Sequence, residues 1–116
     1  MKNQELEKSF KLNLVDTIDY VPKSVIMKAI LKKKTGTVTI LSFDSGEALP
    51  SKISPFDNLI QVIDGEAEII INEESNTIET GHVIIIPAHT RNVVKANKRF
   101  KMMSIIIKSG YEDVSI

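Results

Sequence analysis

An all-β domain is predicted by three features of this sequence: its apolar residues are mostly branched at Cβ, they come in short runs, and turn-forming residues separate the runs. Isoleucine, valine and threonine number 18, 9 and 7, against 7 leucines and 5 alanines. Side chains branched at Cβ lose rotamer freedom in a helix and pack well on a pleated sheet. The apolar runs cover residues 25–31, 37–43, 59–63, 67–71, 83–86, 93–94 and 102–107. Between them stand Thr35 and Gly36, the segment 44–46, Asp64 and Gly65, the segment 73–76, and Thr80 and Gly81. Short strands so spaced fold as a sandwich or a barrel. With 116 residues, 42% of them hydrophobic, the chain has the length of one domain and the apolar content for one core.

Taken in order, the elements begin with a segment of a different kind. Residues 4–14 carry Leu6, Phe10 and Leu14 one helical turn apart, a spacing that predicts either a short amphipathic helix or an arm laid over the sheets. The organisation expected is an N-terminal arm over 1–24, a barrel over 25–108 and a tail over 109–116. Within the barrel, residues 66–71 alternate, with Ala67, Ile69 and Ile71 on one face and Glu66 and Glu68 on the other. Aspartate followed by glycine is a strong two-residue turn signal, so 60–71 is predicted to be a hairpin turned at Asp64 and Gly65. Met102 and Met103 are adjacent, so one points inward and one outward. The triplets Ile84, Ile85, Ile86 and Ile105, Ile106, Ile107 are apolar on both faces. A second sheet covers one face; for the other a partner subunit is expected, hence a homodimer.

Charge and composition exclude several classes of function. Fifteen Lys and Arg balance fifteen Asp and Glu, so no global field favours nucleic acid or an anionic membrane. Lys32, Lys33 and Lys34 form a short run beside a turn, which reads as a solvated loop end. The absence of cysteine removes thiolate metal sites, iron–sulfur clusters and cysteine nucleophiles. No apolar run is long enough for a transmembrane helix, and the polar start MKNQELEKSF has no signal-peptide pattern; a soluble, cytoplasmic protein is expected. No nucleophile elbow, zinc-protease pair, phosphate-binding glycine loop or dinucleotide fingerprint is present.

The spacing of glycines and proline in the middle of the chain resembles the cupin family, whose fold is a jelly-roll or double-stranded β-helix barrel. That family's first motif is bounded by two glycines and encloses a His-x-His pair and a glutamate; Gly46 and Gly65 match the bounding glycines at the motif's shorter spacing. Its second motif opens with a glycine followed by a proline, matched by Gly81 and Pro87, and continues through a glycine to a histidine. The gap between the motifs, 66–80, is 15 residues, close to that of compact members. The resemblance spans most of the chain, and it is to short single-domain cupins without an assigned activity. It implies a fold more than a function, because one fold hosts many chemistries.

Cupins commonly hold a divalent metal with three histidines and a glutamate. Carried onto this sequence, those four positions are Lys52, Ser54, Asn58 and Asn92. An ammonium has no lone pair to offer, and hydroxyls and neutral amides are poor ligands for transition metals, so neither a metal nor another cofactor is expected and no catalytic residue is assigned. Of the two histidines, His82 follows Gly81 in a turn and reads as a surface residue, whereas His89 stands at the family's glycine position and is expected at the mouth of the barrel. Two readings are open for Lys52. Its head group either takes the place of the metal and draws in a carboxylate or phosphate, or extends to solvent from the irregular stretch between Pro50 and Pro55. The function expected is non-catalytic binding of a small polar or anionic ligand by Lys52, Ser54, Asn58, His89 and Asn92. The alternative is an enzyme, of isomerase or oxygenase type, built around His89 and Lys52. Metal-free sugar epimerases share the fold but use a tyrosine acid, and Tyr20 and Tyr111 both lie outside the barrel segments.

Overall fold

The computed structural model describes residues 5–108; the predicted tail 109–116 lies outside the described residues. Eight strands follow one another: β1 (Val25–Lys33), β2 (Gly36–Phe43), β3 (Ala48–Ile53), β4 (Asn58–Ile71), β5 (Glu74–Glu79), β6 (Val83–Ile86), β7 (Arg91–Lys95) and β8 (Phe100–Ile107). All pairings are antiparallel and form one curled sheet with two facing halves that share β4. The first half is ordered β1-β2-β8-β4-β6, and the second consists of β3, β7, the end of β4 and β5. The all-β barrel expected from the β-branched runs is the fold observed. Its core lies between the halves, where Phe43, Ile60, Val62, Ile69 and Phe100 have no exposed surface. No helix among the described residues is long and apolar enough to cross a membrane.

The hairpin expected at Asp64 and Gly65 is not formed. Strand β4 runs straight through both residues and passes from one half of the sheet to the other. Two local features turn its direction without reversing it. The register against β8 slips between Val62 and Asp64, a bulge that bends the strand, and Gly65 takes φ +94°, which suits a strand corner as well as a turn. Thr80 holds the corner: its Oγ1 accepts from the Gly65 N–H at 2.9 Å, and its N–H donates to the Gly65 carbonyl at 3.0 Å. The hairpin falls later, between β4 and β5, where Asn72 and Glu73 both have positive φ (51° and 70°), as a two-residue primed turn requires. Parity within the isoleucine triplets is likewise settled by pairing. Ile86 is buried while Ile85 is 56% exposed, and the register aligns Ile85, Leu59, Ile105, Val38 and Leu31 in one outward apolar row across five strands.

No α-helix forms in the described part of the N-terminal segment; the one helical turn is of 3-10 type at Leu14–Asp16, capped by Asn13. Ser9 takes φ 69°, outside the helical range, and the apolar Phe10 stays exposed. Contacts with β1 replace those of a helix. The Leu6 N–H donates to the Ile30 carbonyl, and the Glu5 carboxylate accepts from the Lys32 N–H at 2.6 Å and pairs with the Lys33 ammonium at 3.1 Å. Residues 15–20 then cross the outer face of the first half. Lys101 donates to the Val15 carbonyl (2.6 Å), Lys28 to the Thr17 carbonyl (2.9 Å) and Ser42 to the Asp19 carbonyl (2.8 Å). This crossing explains why Ile18 and Ile40 are buried although neither belongs to the main core. It ends at Tyr20, whose hydroxyl donates to Asp64 Oδ2 at 2.6 Å beneath the Arg99 and Lys101 cations. Burial, reinforced by the Asp64 carboxylate, raises the pKa of this phenol, which keeps it protonated as the donor.

The contact of Glu5 makes the arm sensitive to acid. The Lys32 N–H, then the Lys33 and Lys8 ammonium groups, bring its pKa down from 4.5 to about 2. A carboxylate with a depressed pKa in the folded state contributes in full above its unfolded value and loses that contribution as pH falls through the folded one. Docking of the arm is therefore expected to weaken between pH 4.5 and about 2. The check is an NMR titration of the Glu5 carboxyl carbon together with the Lys32 amide. Both are expected to move with a midpoint near the lower value, and a midpoint at 4.5 would place the arm away from β1.

Candidate functional site

A cavity of about 110 Å³ opens between the two halves of the barrel. Its floor is the top of the core, formed by Leu41, Ile60, Val94 and Met102. Its polar lining consists of Thr39 on β2, Lys52 on β3, Asn58 on β4, Asn92 on β7 and Ser104 on β8. Strand alternation accounts for most of this set: Thr39 and Leu41, Asn58 and Ile60, Asn92 and Val94, and Met102 and Ser104 are each two apart, and residues two apart share a face.

Lys52 does not follow from alternation. It lies three residues beyond Leu49, which also lines the cavity, and odd spacing along a regular strand puts side chains on opposite faces. The register supplies the extra residue. Leu49 pairs with Val94 and Lys52 with Asn92, so Pro50 and Ser51 together oppose the single residue Val93. A bulge of this kind re-aims the side chain that follows it, and proline is tolerated there because no ladder donor is needed. Arg91 spans the same stretch, its Nη1 donating to Ser51 Oγ at 3.1 Å.

The polar groups are partly committed to one another. Ser104 Oγ donates to Asn58 Oδ1 at 2.6 Å, which fixes the Asn58 side chain and leaves its amide N–H groups available. Asn92, 4% exposed, donates from Nδ2 to the carbonyls of Lys52 and Thr90, each at 3.4 Å, and so ties β7 to the bulge. Among the described residues, no hydrogen bond or ion pair is made by the Lys52 ammonium, and it is the one ionisable group in the lining. Donors thus outnumber negative charges, of which the lining has none.

That donor set does not fit the divalent metal that the family resemblance implies. One cation, two amides and two hydroxyls offer neither an imidazole nor a carboxylate, and a divalent ion beside an ammonium is repelled and left without charge compensation. Among the described residues, no group of three or more His, Asp or Glu side chains is placed to share a metal ion elsewhere.

Two of the five residues expected at the site lie outside the cavity lining. Ser54 follows β3 in a turn, where its hydroxyl accepts from the Phe56 N–H at 3.1 Å and its carbonyl from the His89 N–H at 2.6 Å. His89 is exposed and has φ 63°: it adopts the left-handed turn conformation for which glycine is the usual residue, and it serves this loop through its backbone. His82 closes the turn between β5 and β6, its Nδ1 accepting from the Glu79 N–H at 3.2 Å. Sequence reasoning missed Thr39 and Ser104. The signal was present, since each is a polar residue at an inward position of an otherwise apolar strand.

A wider open groove of about 740 Å³ separates residues 11–15 from residues 61–63 and the turn at Thr80 and Gly81. Its one ionisable lining residue is Lys11, so no convergent chemistry assembles there.

No protein-family model matches the chain, and no curated protein does. Solved structures are similar over nearly all of it. A conserved protein of unknown function from Streptococcus pyogenes superposes with a TM-score of 0.86 at 23% identity, covering 92% of this chain and 93% of that one. A cupin superfamily protein from Desulfitobacterium hafniense gives 0.85 at 23%, covering 94% and 100%. A cupin 2 conserved barrel domain protein from Leptotrichia buccalis gives 0.81 at 28%, covering 84% of this chain and 47% of that one.

Proposed function

We propose that this chain, a small single domain with the cupin fold, binds a small anion in the barrel cavity through Lys52 and does so without a divalent metal. The observation that carries the reading is the Lys52 ammonium itself. Lys52 joins the cavity lining by virtue of a bulge, is exposed at the open side, makes no hydrogen bond or ion pair among the described residues, and shares the lining with apolar floor residues and no carboxylate. Close to low-dielectric walls a single cation attracts an anion more strongly than on an open surface. The Asn58 amide and the Thr39 hydroxyl belong to the same cavity lining, and donors directed at a carboxylate or phosphate oxygen add charge-assisted bonds. The enzyme reading gains no support from the geometry, because His89, which it requires next to Lys52, is not in the cavity lining.

The test is calorimetric titration of the protein with formate, acetate, butyrate and inorganic phosphate at constant ionic strength. At least one of these is expected to bind saturably, and Lys52→Met is expected to weaken it about tenfold or more, the effect of removing one charged hydrogen-bond partner. Affinity unchanged in Lys52→Met, or no saturable binding by any of the four, overturns the reading. Titration with Mn²⁺ or Zn²⁺ is expected to show no stoichiometric site, and tight uptake of either ion overturns the metal-free part.

A further inference from the structure

We infer that the anion is a monocarboxylate with a short hydrocarbon body, of about four to six non-hydrogen atoms; this rests on the reading just proposed and specifies the ligand class for the same cavity. Three observations point to it. The first is size. At about 110 Å³ the cavity is somewhat smaller than the roughly 150 Å³ cavity known to hold benzene, and it falls well below the roughly 300 Å³ at which pockets for larger metabolites begin. A hexose phosphate does not fit inside it.

The second is charge. One ammonium, and no second cation in the lining, balances one negative charge; a phosphate near neutral pH would keep part of its charge uncompensated and its outward oxygens short of donors. The third is the mixed character of the lining. Lys52, Asn58 and Asn92 present polar atoms, whereas Leu41, Ile60 and Met102 form a buried apolar floor. An anion that is polar all round leaves that floor against polar atoms, whereas an alkyl chain behind a carboxylate covers it, and each methylene so buried strengthens binding about fourfold.

The experiment is a chain-length series, from formate through acetate, propionate and butyrate to hexanoate and octanoate, with 1-butanol and inorganic phosphate as controls. Each is titrated into the wild type, Lys52→Met and Leu49→Ala. In the wild type, affinity is expected to rise about three- to fourfold per added methylene as far as butyrate and to fall by octanoate, with 1-butanol and phosphate at least tenfold weaker than butyrate. Leu49 is a partly buried wall residue packed against the core, so its truncation enlarges the cavity and is expected to move the optimum to longer chains while the requirement for Lys52 persists. Phosphate binding as tightly as butyrate, or a flat series, with the Lys52 dependence retained, overturns the short-carboxylate inference and leaves the anion reading standing. A rising series that is indifferent to Lys52→Met overturns both, since the cavity would then be reading hydrocarbon alone.

Discussion

Gly65→Ala is expected to destabilise the protein by about 2–4 kcal/mol, although it adds a single methyl group. Two costs combine. At φ +94° any side chain meets its own backbone, a strain of about 1–2 kcal/mol. The added Cβ would also stand 2.8 Å from the Arg99 carbonyl oxygen and 3.0 Å from the Phe100 Cβ. Neither neighbour gives way easily, because the first is backbone and the second belongs to a side chain with no exposed surface. Gly81→Ala is the matched control: φ is +89° there, with nothing within 4 Å of the added atom, so only the strain is expected. Urea denaturation of the two variants separates the contributions. Equal losses would mean that β4 does not pass close to Arg99 at its corner.

Phe100→Ala is expected to cost about 3–5 kcal/mol, from lost burial and the cavity left behind. Phe100 lies directly across from Phe43 in the pairing of β2 with β8, and the two rings stack with centroids 4.5 Å apart and planes 13° from parallel. Both rings are wholly buried, so the substitution removes a ring and deprives its partner of a stacking face, itself worth about 0.5–1.5 kcal/mol. Domains of this size are stable by about 5–15 kcal/mol, and a large fall in thermal midpoint is the expected readout. Phe10→Ala, at a side chain 64% exposed, is expected to change stability by less than about 0.5 kcal/mol. Similar losses for the two variants would contradict the placement of the core.

The candidate site was legible only in part. The glycine and proline spacings placed Lys52, Asn58 and Asn92 together, and all three line one cavity. The same spacings also put Ser54 and His89 there, and those two lie in the turn and the loop beside it. Motif spacing along a chain says which residues come near a place; it does not say whether a side chain or a backbone atom is presented to it. For His89 the backbone decides, because a residue at φ 63° in a tight loop leaves its ring outside. Thr39 and Ser104 went unremarked because neither has a motif position, although alternation alone assigns them to the inner face.

What the sequence determined by itself was whatever near neighbours control: that β-branched runs become strands, that Gly46, Gly65 and Gly81 take positive φ, and that Ala67, Ile69 and Ile71 share a face. Tertiary structure alone decided the rest. A glycine at positive φ is as compatible with a hairpin as with a strand corner, and it was pairing with β5 and β8 that made Gly65 a corner. An amphipathic spacing is as compatible with an arm as with a helix, and it was β1 that drew residues 5 and 6 out along its edge. A lysine three residues past a leucine falls on the opposite face unless a partner strand forces a bulge, and it was pairing with β7, about 40 positions further along the chain, that brought Lys52 into the cavity lining. Register is a property of two strands, and neither strand alone contains it.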